Sequence, residues 1–194
     1  MTRLETVLAL IDRANSADPN REHVDGAVEP AALLYSHRMS IVLAEFAPKA
    51  SEQLAIAARG QHIERWRRPR ADYPQGRVGY LAWRRDAGRF HANRLTELMS
   101  QAGYGHAARD RVSALVSKKG IKRDVEIQAL EDVACLVFMR WYFIPFASGR
   151  THDDLYRIVS KTARKMSHAG RQTALALPLP RELAPAIVEA NCPL

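Results

Sequence analysis

Cysteine is nearly absent. Only Cys135, inside an apolar run, and Cys192, near the end, occur in 194 residues. Neither a disulfide framework nor a CxxC zinc pattern exists, and a reducing, cytoplasmic setting is the expectation. Long hydrophobic runs are missing too. The most apolar stretch, VACLVFMRWYFIPF, is short and carries Arg140, which points to a buried helix and against a membrane span. The opening MTRLETVLALIDRAN holds Arg3, Glu5 and Asp12, so it lacks the apolar core of a signal peptide. No sustained period-2 alternation, internal repeat or long linker is found, so no sheet and one domain are expected. Lysine is missing where charge is densest. Between Arg59 and Arg94 stand ten arginines, no lysine and three acids (Glu64, Asp72, Asp86), which accounts for most of the net charge of +8. Arginine's planar fork suits bidentate phosphate or carboxylate contacts, so this belt reads either as a solvated face with internal ion pairs or as a grip for an anionic partner.

What remains is helical punctuation. Thr2-x-x-Glu5 is a capping box opening a helix to about Ala14, and NSADPNREHVDG follows as a polar loop. Pro30 suits the first turn of a second helix to about Phe46, and Ser51 caps a third that stops before Pro69. A fourth runs from about Val78 to Ala102 and ends at Gly103, and a fifth from His106 to Lys118 ends at Gly120. Asp124 caps a sixth to about Pro145, Thr151 opens a seventh to near Gly170, and a short eighth begins at Pro180. The expectation is an all-α, single-domain bundle of about seven to eight helices, with a C-terminal helical extension over about 150–194.

Placed on these helices, His37, His62 and His91 fall on apolar stripes, as does Asp132 in ALEDVACLVF. A single such histidine reads as a satisfied core residue. Three histidines and a carboxylate on four inward faces would, if they converge, offer donors for a divalent transition metal, Fe, Mn, Zn or Ni. His23, His106, His152 and His168 read as loop or helix-end positions. Arg59 and Arg65 lie one helical turn either side of His62 and are the candidates for gripping a phosphate, with Arg67 and Arg68 extending the charge. Glu64 reads as a salt-bridge partner or a general base. Trp66 and Trp83 are core residues or platforms for a base.

YSHRM, QHIERW, FHANRLTELMSQAGY and DVACL together resemble the HD-domain superfamily, all-helical metal-dependent phosphohydrolases and relatives. The resemblance spans about residues 30–140 and implies an HD-like core there, with metal ligation by His37, His62 and Asp132 and His91 as a further ligand. Where the family has the aspartate of its His-Asp doublet, this chain has Ile63; His91 or Glu64 compensates, or metal binding is altered or lost. Lys118-Lys119 stands where some members have another histidine. Over nearly the full length, ANSADPN, LLYSHRM, AARGQHIERW, LEDVACLVF and KMSHAGR resemble the narrower domain of unknown function 4202, which implies little about activity. Three functions follow as expectations: a hydrolase of a nucleotide or other small phosphorylated compound, an iron-dependent oxygenase, or a non-catalytic RNA (tRNA)-binding module using the Arg59–Arg94 belt. A helical scaffold with buried, hydrogen-bonded histidines is the plain alternative.

Overall fold

The computed structural model describes residues 1–191 except Asp25, Lys119 and Lys122, so the readings of Cys192 and Lys119 lie outside the described residues. The fold is all-α. Its helices are α1 (Arg3–Asn15), α2 (Ala31–Phe46), α3 (Glu52–Gly60), α4 (Gly76–Gln101), α5 (His106–Val116), α6 (Val125–Val137), α7 (Phe143–Ala147), α8 (His152–Ala163), α9 (His168–Leu175) and α10 (Ala184–Val188). A π-helical turn over Phe138–Tyr142 joins α6 to α7. The backbone packs as two compact units, Met1–Gly120 and Ile121–Leu194.

Capping chemistry sets most helix starts. The Thr2 side chain accepts from the Glu5 N–H while the Glu5 carboxylate accepts from the Thr2 N–H. Ser51, Asp124 and Thr151 cap α3, α6 and α8 as their sequence positions predict. Gly103 takes φ +80 just beyond α4, the left-handed stop that glycine adopts without strain.

Four expectations are corrected. The loop after α1 contains a small antiparallel hairpin, β1 (Arg21–Val24) on β2 (Ala27–Pro30). Its strands are four residues each, too short to show alternation, and the Asp-Gly pair between them is the signal that was there to be read. The third helix ends at Gly60, leaving a turn and a 3-10 turn (Arg65–Arg67) before Pro69, so His62 lies outside any helix. The seventh expected helix is two: α8 stops at Ala163 and Ser167 caps α9. Finally, the buried face of α2 is Ala32, Ser36, Met39 and Leu43, whereas the stripe through His37 and Ile41 faces outward. α2 is apolar on most of its circumference, so spacing alone does not say which side is covered.

In the first unit α4 packs on α5, α3 on α5 and α2, and α1 on α2, α3 and α4. Val7, Ile11, Met39, Leu54, Ile56, Ile63, Leu95, Met99 and Leu115 form the core. In the second, α6 packs on α9 and α10 on α8 and α9, around Ile127, Leu130, Leu136, Phe143 and Val159.

Candidate functional site: two adjacent imidazoles beside an arginine face

The stretch from Gln61 to Gln75 is irregular, and its buried backbone groups need partners. Side chains supply them. The Glu64 N–H donates to Asn15 Oδ1 at 2.9 Å, Trp83 Nε1 donates to the Arg68 carbonyl at 2.8 Å, and Arg70 donates to the carbonyls of Tyr73 and Pro74. His91 Nδ1 lies 2.8 Å from the Ile63 carbonyl. A carbonyl only accepts, so Nδ1 carries the proton of the neutral ring and Nε2 is left as a bare lone pair. That Nε2 is buried and has no hydrogen-bond partner.

His62 is the neighbour of this lone-pair ring. The ring centroids of His62 and His91 are 5.8 Å apart, and Tyr35 stacks on His62 at 4.8 Å. Both imidazoles are held neutral. Burial pulls His91 down to about 4, with Arg65 adding to the effect, against the hydrogen bond to Ile63. His62 is pushed well below the usual histidine range, first by burial and then by the charge of Arg65. His62 retains some solvent-accessible surface, but the atoms packed round its ring leave a cation poorly hydrated.

The other predicted ligands have their own surroundings. His37 Nε2 sits 3.7 Å from Asp12 Oδ2, on a side chain 44 % exposed. Asp132 belongs to the second unit, where Oδ1 accepts from the Ser167 N–H at 2.8 Å and from Gln128 Nε2 at 3.1 Å. Burial raises its pKa, and Gly170 leaves the space it fills, because a Cβ there would come within 2.7 Å of Oδ1. This carboxylate anchors the start of α9. Among the described residues no three His, Cys, Asp or Glu side chains gather as a metal centre requires. Of the predicted donors, His62 and His91 stand together, two of the three protein ligands that a catalytic zinc keeps.

The arginines divide sharply. Arg59 makes a two-pronged bond to Asp12, 2.7 Å from Nε and 2.6 Å from NH2, and reaches Ser40. Arg94 donates to the buried Glu64 at 2.9 Å and to Glu97 at 3.0 Å, while Arg67 approaches Glu64 at 3.4 Å. Glu64 is therefore a salt-bridge partner, placed with its backbone at φ +50. By contrast Arg65, Arg68, Arg77 and Arg84 are exposed residues with no carboxylate ion-pair partner among the described residues, and exposed Arg89 acts on Asp86 only at longer range. Arg65 lies 4.8 Å over Trp83, which is a core residue, and Arg68 lies 5.1 Å over Phe90.

Residues that spacing did not single out complete the picture. Asn15 bridges Ser36 Oγ at 2.6 Å and the Glu64 N–H, and Asp18 accepts from the Ala32 N–H at 2.9 Å, capping α2 where Pro30 offers no side chain. Asn15 and Asp18 are buried polar residues inside ANSADPN, and the density of Asx residues between two helices was the available signal.

Among the described residues no helix is long and apolar enough to cross a membrane. No curated protein and no solved structure matches the chain. One family model does, over residues 5–187, and with so much of the chain covered the protein belongs to the family described as domain of unknown function DUF4202.

Proposed function

We propose that the protein binds a nucleotide or other small phosphorylated compound beside the His62–His91 pair and hydrolyses it, as a divergent relative of the HD phosphohydrolases. The observation that carries this reading is Arg65. The residue is exposed, but its guanidinium packs over Trp83, where burial lowers its pKa; it lacks a carboxylate ion-pair partner among the described residues, and after burial it is the foremost charge depressing His62 and also depresses His91. A phosphate docked on Arg65 offsets that charge. Burial still holds the His62 imidazole down, but the part of the depression due to Arg65 is relieved, and in this reading the ring then takes a proton from an attacking water. Arg67 and Arg68 stand next in the chain to hold further phosphate oxygens. Arg59 and Glu64 serve the structure in this reading, since both are already bonded.

The test is a thermal-shift and phosphate-release panel of nucleotides and sugar phosphates, run with and without added Mn²⁺. Binding that falls at least about tenfold in Arg65→Ala, equivalent to about 1.4 kcal/mol, is the expected result. Turnover lost in His62→Gln with binding retained assigns the proton step. A panel in which no phosphorylated compound shifts the melting temperature overturns the proposal.

A further inference from the structure

We infer that the first half of α4, with the Arg65–Arg68 turn laid against it, is a docking face for a single strand of nucleic acid, holding bases by stacking as well as phosphates by charge. The inference rests on the reading of Arg65 as a phosphate contact and enlarges its ligand from a small compound to a strand.

Three observations combine. The first is unpaired charge. Arg65, Arg68, Arg77 and Arg84 share one short region without a carboxylate ion-pair partner among the described residues, Arg89 beside them reaches Asp86 only at longer range, and Arg59, Arg85 and Arg94 each have a close partner. Such a group of cations repels itself in the folded chain, and an anionic ligand relieves it. The second is what lies under the cations. Arg65 sits 4.8 Å over Trp83, Arg84 5.8 Å over Tyr80, and Arg67 and Arg68 sit 5.9 Å and 5.1 Å over Phe90. Tyr80 and Trp83 are themselves 5.9 Å apart. A guanidinium held over an aromatic ring is a planar cation, the surface on which unpaired bases stack. The third is length and exposure. Tyr80, Trp83 and Phe90 recur at helical spacing, Trp83 itself buried, so the guanidiniums lying over them span about 15 Å along α4. At about 3.4 Å per stacked nucleotide that accommodates about four nucleotides, more than one mononucleotide fills. Tyr80 on the stripe is 44 % exposed, and Val78 and Leu81 in the same half of α4 are 84 % and 52 % exposed, apolar surface open to base faces. A duplex hides its base faces, so a single strand fits this surface better.

The experiment is fluorescence anisotropy on the full chain with labelled oligonucleotides of about 12 residues, a length within the usual single-strand footprint: uridine, thymidine, and a duplex. Salt is varied from about 50 to about 200 mM. The triple variant Arg65→Lys, Arg68→Lys, Arg84→Lys keeps the charge and removes the planar forks, and circular dichroism confirms its fold. The expected result is a single strand bound at least about tenfold tighter than the duplex, with a log–log salt slope of about −2 to −3.5, as for three to five phosphates. The lysine variant should bind at least about fivefold weaker at an unchanged slope, within the range of one lost base stack. The uridine and thymidine strands tell RNA from DNA, and tight binding of either supports the inference. Equal binding of duplex and single strand, a lysine variant as tight as the parent, or no strand binding overturns it. Mononucleotide binding that depends on Arg65 without tighter strand binding overturns this inference alone, while failure of every phosphorylated ligand removes the proposed function with it.

Discussion

Arg94 and Arg84 lie ten residues apart on one helix and are placed in opposite ways. Arg94, in the second half of α4, is clasped between the buried Glu64 and Glu97, in a stretch where His91, Ala92, Leu95, Leu98 and Met99 are all covered. Arg84, in the first half, points a guanidinium at Tyr80 with no acid to meet it, and there only Gly79, Trp83 and Ala87 are covered. The second half is therefore stabilising machinery, and the first half is surface left available to a ligand. Residue type and helix are the same; what differs is whether an acid from elsewhere in the chain arrives.

Breaking the clasped half should cost most. Glu64→Ala removes one of the two acids that hold Arg94, which is 28 % exposed and keeps Glu97, so urea unfolding should show a loss of about 1.5–3 kcal/mol, the worth of hydrogen bonds to a charged group. A loss below about 1 kcal/mol, the level of an exposed pair, would put Glu64 on the surface side of the comparison.

Acid should break the same half next. His91 titrates near 4 in the fold against 6.5 for an unperturbed histidine. Between those values the unfolded chain takes up a proton that the folded chain refuses, so stability falls as pH drops through this window, by about 3 kcal/mol in total. Below about 4 the loss is complete. His62 has the same sign. His91→Asn keeps a donor for the Ile63 carbonyl and removes this titration, so its unfolding free energy should change less between neutral pH and the lower end of that window than the parent's. Parallel profiles would count against a buried neutral His91.

Gly79 lets the Pro74 segment lie against the first half of α4. A Cβ there would fall 1.9 Å from the Pro74 carbonyl oxygen, which is backbone and cannot rotate away. Gly79→Ala should cost about 1–3 kcal/mol, as overpacking does, and push the Pro74 segment away from the start of α4. An unchanged melting temperature would mean that the segment relaxes freely. Smallest is the effect of Arg84→Ala or Arg89→Ala on stability, within about 0.5 kcal/mol, paired with weaker anion binding in a salt titration. A larger destabilisation would show that these arginines are structural after all.

Much of the fold was legible along the chain. Thr2, Ser51, Asp124 and Thr151 cap helices through bonds to residues two or three ahead, and Gly103 stops α4 through its own φ, so each is a local matter. The site was legible in part. His91 and Asp132 lie on covered faces as spacing indicated, yet His37 turns outward, and helical spacing could not describe His62, because the helix ends two residues before it. Arg59 and Arg65 look alike beside His62 in sequence. One is claimed by Asp12, 47 residues away, and the other by no acid among the described residues.

By itself, then, the sequence determined the all-α class, most helix starts, the arginine-for-lysine choice between residues 59 and 94, and the membership of DUF4202. These rest on local capping, periodicity and residue identity, which short separations carry. The tertiary structure decided that His62 and His91 stand together, that Glu64 and Arg59 are bonded away, and that the free charge lies over Tyr80, Trp83 and Phe90. Those outcomes depend on which distant side chain reaches a given atom first. An ion pair or a ring contact is fixed by ångström-scale distance between segments, and spacing along the chain does not contain it.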